Sequence, residues 1–561
     1  MNKNAPLYDV RKIVDLKDML AQSVELYGDK AAFLIKEKTG EPYSPVSYRQ
    51  FGNDVNAFGT ALLTLELKKE RIAIIGKTRY EWYISYMSVV AGVGVVVPID
   101  KELPANEVKN LLSRSHATAV IFSEEHKETL LSLRNELPEL KYLIGMDELA
   151  SNDQVMSFDI LLKKGREMVA AGNKSFILAT IDPEILGILL FTSGTTSDSK
   201  AVMLSHHNIC YNLESMCSML EVVPEDVFLS VLPLHHTYEC TCGFLCQIYR
   251  GSTVALCEGL RHILKNIQES KPTMILVVPL MVESFYKKIF APANMKKLKI
   301  GLKLSNGLRK VGIDARKKIF KQVHETFGGR LKMLISGGAP IDPKMLKGLQ
   351  DIGIGCVQGY GLTECAPILA LNRDVWYKDE SAGLPLPGVD VQIIDKDEDG
   401  IGEIIAKGEN VMLGYYENEE ATKAAIIDGY FHTGDLGYLD ADGFVIITGR
   451  KKNVIISQNG KNIFPEEIEF LLNRSEYIVE SVVYGKTKPD GDVDVNAKIF
   501  PDYEKAKAEV GEEPKQIEAL IAQEVKKINA LLASYKHIRN FEISETEFEK
   551  TTSKKIKRNR A

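Results

Sequence analysis

Cysteine is scarce in this chain, with eight residues in 561. That is too few for a disulfide scaffold and fits a reducing cytoplasm. Positive charge is not in excess either. The net charge is −6 and the pI about 6.0, which argues against nucleic acid as a partner, because phosphate binding leaves a basic footprint. An export signal is missing: MNKNAPLYDVRKIVDLKDML has no apolar core behind a basic start. The expectation is therefore a cytoplasmic protein. No unbroken apolar run has transmembrane length. The longest, YISYMSVVAGVGVVVPID (Tyr83–Asp100), is interrupted by Ser85, Ser88, Gly92 and Gly94 and meets Pro98. A membrane span needs about 20 predominantly apolar residues, so this stretch reads as a helix end followed by a buried strand. Peripheral contact with a membrane stays open. C-x-x-C spacing is absent from HHTYECTCGFLC, which gathers His235, His236, Cys240, Cys242 and Cys246. Its cysteines read as small buried hydrophobes rather than metal ligands. Internal repeats and low-complexity tracts are also missing.

What is present is ordinary globular composition, 45% hydrophobic and 26% charged. The length implies more than one domain, since single cores stop growing at roughly 250–300 residues. Strand-like runs such as RIAIIG (Arg71–Gly76), TAVIFS (Thr118–Ser123), MILVVP (Met274–Pro279) and LKMLIS (Leu331–Ser336) alternate with helical patterns such as NEVKNLLSRS (Asn106–Ser115). This alternation predicts an α/β fold with layered, largely parallel sheets. From Gly383 the texture becomes short β-like runs split by Gly, Pro and Asp. Past Gly449 it shifts again, to a compact α+β pattern. The expected division is a large N-terminal domain over 1–449, with a small β-rich subdomain at about 383–449, and a small C-terminal domain over 450–561.

FTSGTTSDSK (Phe191–Lys200) follows an apolar run of strand length, ILGILLF. Six of the eight residues from Thr192 to Ser199 carry hydroxyls, and a lysine closes the run. Backbone N–H groups and hydroxyls on a glycine-containing turn form a concave donor surface for an anion. A triphosphate cradle is the favoured reading and a polar surface turn the bland one. The loop is not a Walker A motif, because Gly194 lies six residues before Lys200 and no second glycine precedes the lysine.

Five segments in order resemble the adenylate-forming superfamily. TSGTTSDSKAVMLSH is similar to its phosphate loop, with Ser197, Ser199 and Ala201 where that family usually has Gly, Pro and Gly. SGGAP (Ser336–Pro340) resembles the adenine-side loop, and QGYGLTECAP (Gln358–Pro367) the YGxTE motif. YFHTGDLGYLDADGFVIITGRKKNVIISQNGKNIFPEEIE (Tyr430–Glu469) resembles the ribose and hinge region. TTSKKIKR (Thr551–Arg558) resembles the C-terminal TxxGKIxR, with Lys554 in place of the glycine. LPLHHTYE together with LISGGAPI and GYGLTECAP looks most like the long-chain fatty-acyl-CoA synthetase branch.

The resemblance implies a role for each matching residue. Thr192, Ser193, Gly194, Thr195, Thr196 and Lys200 would hold the β- and γ-phosphates of ATP. Gly338, Ala339, Gly359 and Tyr360 would flank adenine. Thr363 would touch the α-phosphate and Glu364 would hold Mg²⁺. Asp435 would accept hydrogen bonds from the ribose and Arg450 would donate to it. Lys555 would stabilise charge building between carboxylate and α-phosphate. Lys452 would be the hinge of a mobile C-terminal domain, and CoA would enter near Gly460. His236 would lie near the substrate carboxylate, with a structural histidine as the competing reading. The implied reaction makes acyl-CoA from a medium- or long-chain fatty acid, or a related apolar carboxylic acid, with ATP and CoA. Loading of an acyl carrier protein is the nearest alternative. A luciferase-like oxidation and a non-catalytic binder stand further off.

Overall fold

β-branched and leucine-rich runs set the first sheet. Arg71–Ile75, Val95–Ile99 and Ala119–Phe122 are parallel neighbours, with Ile72 opposite both Val96 and Ala119. Their residues are almost continuously buried, as expected of parallel strands covered on both faces. The computed structural model describes residues 2–192, 199–456, 461–488, 493–550 and 556–558. It contains two compact units. One comprises Met1–Asp390 with Lys407–Phe431, the other Val391–Ala406 with His432–Ala561.

The first unit carries two large sheets. The eight-stranded one runs in the order Gly414–Tyr415, Ala201–Ser205, Leu186–Phe191, Val95–Ile99, Arg71–Ile75, Ala119–Phe122, Tyr142–Gly145 and Met156–Ser157. Its first two strands are antiparallel additions to a parallel body. The nine-stranded sheet is built around the parallel strands Thr253–Leu256, Val227–Ser230, Met274–Val277, Met333–Ser336 and Gly355–Gly361. Ile368–Leu371 returns antiparallel beside the last of these. Phe33 of this sheet meets Phe51 and Tyr83 at ring separations of 4.9 Å each, which seats the helices Tyr48–Leu63 and Tyr80–Ser88 against it. Tilted and edge-on aromatic pairs of this kind add stabilisation beyond their buried area.

The stretch Tyr83–Asp100 resolves as expected. Helix Tyr80–Ser88 passes through a π-helical turn, Val89–Val93, into the strand Val95–Ile99. Among the described residues no helix is long and apolar enough to cross a membrane.

The second unit has a sheet in which residues 435–439 pair antiparallel with Val445–Arg450. It also has a three-stranded sheet of Ile478–Thr487, Val493–Pro501 and Ile538–Ile543. The helix Pro514–Asn529 buries Ile517, Leu520, Ile521, Val525 and Ile528, one stripe at helical spacing. Ile521, Val525 and Ile528 close on Ile468, Leu472, Val483 and Val495, while Ile517 and Leu520 pack with Ala506.

Candidate active site

The hydroxyl-rich stretch joins two paired strands. Strands Leu186–Phe191 and Ala201–Ser205 pair antiparallel, with Phe191 opposite Ala201. Thr192 N–H donates to the Lys200 carbonyl at 2.9 Å, and the Lys200 N–H lies 3.3 Å from the Thr192 hydroxyl. These bonds close the base of the loop. Ser193, Gly194, Thr195 and Thr196 lie outside the described residues.

One helix frames what faces this hairpin. Ser205 caps His206–Met219: its hydroxyl accepts from Asn208 N at 3.1 Å, and Asn208 Oδ1 accepts from Ser205 N at 2.9 Å. Asn208 Nδ2 then donates to the carbonyls of Glu409 and Val411, at 2.7 and 2.9 Å. One turn on, Asn212 Nδ2 donates to the carbonyls of Cys365 and Ile368, at 3.2 and 2.8 Å. Asn410 Nδ2 reaches the same two carbonyls at 3.1 and 2.9 Å. All three amides are buried, and Asn212 and Asn410 share the same two carbonyls, so losing both would leave buried acceptors without these donors. Together they hold the segment after Glu409 against the turn Thr363–Cys365.

That clamp brings Tyr415 to the site. Tyr415 pairs with Val202 as an edge strand. The Lys200 ammonium sits 4.5 Å from the centre of its ring, within cation–π range. Its hydroxyl donates to Glu364 Oε1 at 3.0 Å. Burial first, and then the Glu364 charge, push the Tyr415 pKa well above its ordinary value, so the hydroxyl stays a donor. Glu364 is also fixed through its backbone, whose carbonyl accepts from Met412 N at 2.8 Å. Thr192, Lys200 and Glu364 thus converge through a residue that periodicity and motif reading had passed over. GYY in ENVMLGYY carries no signal of its own, because only strand pairing puts Tyr415 beside Ala201–Ser205.

Gly338 and Ala339 follow the strand Met333–Ser336 and are exposed. Gly338 has φ +88°, the left-handed region that glycine enters without penalty. At Gly337 a Cβ would lie 2.9 Å from the Tyr238 ring, whose hydroxyl donates to the Ile335 carbonyl at 2.8 Å. Gly359 and Tyr360 sit near the end of the adjacent parallel strand, opposite Leu371 and Ala370. Both loops therefore leave the carboxyl ends of neighbouring strands, where open α/β sheets form ligand crevices. The Thr363 hydroxyl lies 3.5 Å from that of Thr237.

Thr237 follows the histidine pair. The rings of His235 and His236 are 4.0 Å apart, and His235 Nε2 is 3.5 Å from Asp100 Oδ2. Burial, and then His236, push the His235 pKa well down, so that ring is neutral at pH 7. Next along the chain, Glu239 is fully buried in the π-helical segment Tyr238–Leu245. Ser230 Oγ donates to Glu239 Oε1 at 2.5 Å, and Tyr83 OH donates to Ser230 Oγ at 3.1 Å. Burial raises the Glu239 pKa to about 8. This carboxyl is a second residue that sequence reading missed. All eight cysteines are buried, and among the described residues no group of three His, Cys, Asp or Glu is placed to hold a metal ion.

In the second unit, Asp435 and Arg450 are direct cross-strand partners. Arg450 Nε lies 2.7 Å from Asp435 Oδ1. Asp435 is buried, and its backbone N–H donates to Thr433 Oγ1 at 3.0 Å. Lys452 is exposed in the short turn Lys451–Asn453. Its neighbours are tethered: Lys451 Nζ to Glu403 Oε2 at 2.7 Å, and Asn453 Nδ2 to Glu466 Oε1 at 2.6 Å. For Glu403, burial opposes the charge, but Lys451 and His432 outweigh it and hold the pKa below the usual carboxylate range. A groove of about 540 Å³ runs beside Lys452, and Arg558 lines it too. Arg558 pairs with Glu469, whose pKa burial raises to about 7 against the pull of that arginine. Gly460, Lys554 and Lys555 lie outside the described residues.

The fold is that of adenylate-forming enzymes. A solved structure of an anthranilate CoA ligase in complex with anthranoyl-AMP superposes with a TM-score of 0.78 over 100% of this chain and 98% of that one, at 21% identity. The chain belongs to the AMP-binding enzyme family, whose model matches residues 20–416. It is 29% identical to long-chain-fatty-acid–CoA ligase 6 of Mus musculus, over 80% of this chain and 69% of that protein. It is 28% identical to long-chain-fatty-acid–CoA ligase FadD15 of Mycobacterium bovis, over 80% of this chain and 76% of that one.

Proposed function

We propose that the protein is an ATP-dependent acid–thiol ligase that activates a medium- or long-chain fatty acid. A carboxylate oxygen attacks the α-phosphate of ATP, pyrophosphate leaves, and an acyl adenylate results. The sulfur of CoA then bonds to the acyl carbon, the thiol gives up its proton and AMP departs. The observation that carries this reading is the Lys200–Tyr415–Glu364 array at the base of the hydroxyl-rich loop. It sets a cation against the ring and a carboxylate at the hydroxyl of one tyrosine, charges that suit a triphosphate and its counter-ion.

Glu364 fits Mg²⁺, a hard cation that takes one or two carboxylates and fills its shell with phosphate oxygens and water. When bound, the metal would neutralise triphosphate charge. The Tyr415 hydroxyl orients the carboxylate for it. Thr192, Ser193, Gly194, Thr195, Thr196 and Lys200 are assigned to the β- and γ-phosphates and Thr363 to the α-phosphate. Gly338, Ala339, Gly359 and Tyr360 are assigned to adenine, and Asp435 with Arg450 to the ribose. His236 is assigned to the acid. In this reading residues 450–561 turn about Lys452. One closure brings Lys555 to the reacting carboxylate, and the other admits the thiol near Gly460.

Support for a fatty acid comes from the two ligase relatives above and from the apolar segment CTCGFLCQI, which is buried throughout. The experiment is acid-dependent ATP–pyrophosphate exchange across a chain-length series, followed by thioester assays with CoA and with a phosphopantetheinylated carrier protein. Exchange should climb with chain length until the pocket fills, at about 0.8 kcal/mol per buried CH₂. A best substrate of acetate or a polar amino acid would sink the reading. Acyl transfer to carrier protein alone would replace CoA as the acceptor.

A further inference from the structure

Positive charge is concentrated in one place. Residues 287–321 hold twelve Lys or Arg against a single Asp, a net +11 in a chain whose net charge is −6. Most of this segment is the helix Pro292–Lys310 in the first unit. One face of the helix packs inward: Leu298 and Leu302 join the core of Phe285, Phe320 and Leu346, and Ser305 is fully buried. The opposite face is unusual. Ile300 is 71% exposed and Leu304, one turn on, 56% exposed; Val311, at the helix end, is 70% exposed. Lys296, Lys297 and Lys303 flank this stripe, and none of them meets a carboxylate among the described residues. On its other flank the helix borders a groove of about 550 Å³, where Phe290 and Leu302 stand beside Lys299, and where Asp351, Asp379 and Glu380 offset the lysines, so the basic face is the exposed one and not the groove.

We propose that this helix docks the protein on an anionic membrane surface. Ile300, Leu304 and Val311 enter the interface, and Lys296, Lys297 and Lys303 meet lipid phosphates. A solvated charge run alone would explain the lysines but not three large aliphatic side chains turned to water at their centre. Apolar burial and attraction to anionic lipid act on such a helix together. A nucleic acid would engage the lysines and leave the aliphatic stripe wet. The inference does not rest on the ligase reading, and its test reads binding rather than catalysis.

The test is flotation of the full chain with vesicles of phosphatidylcholine alone and of phosphatidylcholine mixed with phosphatidylglycerol. Binding is expected to the anionic vesicles and release at high salt. Lys296→Ala, Lys297→Ala and Lys303→Ala combined should lower partition on the order of 100-fold, from about fivefold per lysine. Ile300→Ser with Leu304→Ser should lower it on the order of 10-fold or more. Both variants should keep the wild-type melting curve and ATP–pyrophosphate exchange, since all five positions are exposed. Failure of the wild type to float with anionic vesicles overturns the proposal. So does a double variant that floats like wild type while the triple does not, which would mark a bare polyanion face.

Discussion

Each unit holds a cation and a carboxylate at its candidate site, and the two handle them differently. In the second unit Arg450 and Asp435 touch, at 2.7 Å, across one hairpin. In the first, Tyr415 stands between Lys200 and Glu364, taking the cation on its ring and offering its hydroxyl to the acid. Opposite charges in contact largely satisfy each other, so a ligand must share or part them. Charges held apart by an aromatic ring stay oriented and available to an anion and a metal. The first arrangement is costly to assemble, because Lys200, Glu364 and Tyr415 are remote in sequence. Buried Asn208, Asn212 and Asn410 supply the frame. The second needs only strand pairing.

The largest effect expected from breaking this division of labour lies in the second unit's tail. Lys555→Ala should lower ATP–pyrophosphate exchange by about 10²–10³, the usual cost of one preorganised donor at a developing charge. AMP release from supplied acyl-AMP and CoA should stay near wild type. Lys554→Ala is the control: if it is dead in exchange while Lys555→Ala is active, the assignment belongs to the other lysine.

Tyr415→Phe sharpens the contrast in the first unit, because it keeps the ring under Lys200 and removes the hydroxyl from Glu364. A hydrogen bond to a charged group contributes about 1.5–3 kcal/mol, so exchange should need on the order of 10-fold more Mg²⁺ for half-maximal rate. An unchanged Mg²⁺ titration would show that the hydroxyl does not orient Glu364.

Lys452→Pro should impair thioester formation severalfold more than adenylation, since proline fixes φ near about −65° and restricts a turn at that position. Equal loss in both half-reactions, with an unchanged melting curve, would remove Lys452 as the hinge.

Glu239 shows a third way to manage charge, by burial without a cation, and its removal should change rates least. Its pKa rises from the ordinary 4.5 to about 8. Between those values the folded state holds a proton that the unfolded state has lost, so stability falls as pH rises through that window. Glu239→Gln should flatten the urea midpoint between pH 5 and 8 and add up to roughly 5 kcal/mol at pH 8. A slope equal to wild type would mean that another group titrates.

Much of the architecture was legible because it follows from local rules. The runs at Arg71, Ala119, Met274 and Met333 are strands, and the apolar stretch after Tyr83 is a helix end and a strand. The hydroxyl-rich stretch does follow a buried strand, and the strand after it, Ala201–Ser205, pairs antiparallel with that one. The basic run from Lys296 to Lys310 was not singled out from the sequence, and that Ile300 and Leu304 lie outside among those lysines could not have been, because helical spacing alone does not say which of two apolar stripes faces the core.

Sequence by itself determined the α/β alternation, the order of the nucleotide motifs and the family, since each rests on residue type and spacing within a short window. The tertiary structure alone decided that Tyr415 mediates between Lys200 and Glu364, that two asparagine amides, Asn212 and Asn410, brace the turn bearing Glu364, and that Glu239 is sealed from water. Those outcomes depend on strand neighbours and burial between residues remote in sequence, and no local pattern encodes which distant backbone will need a donor.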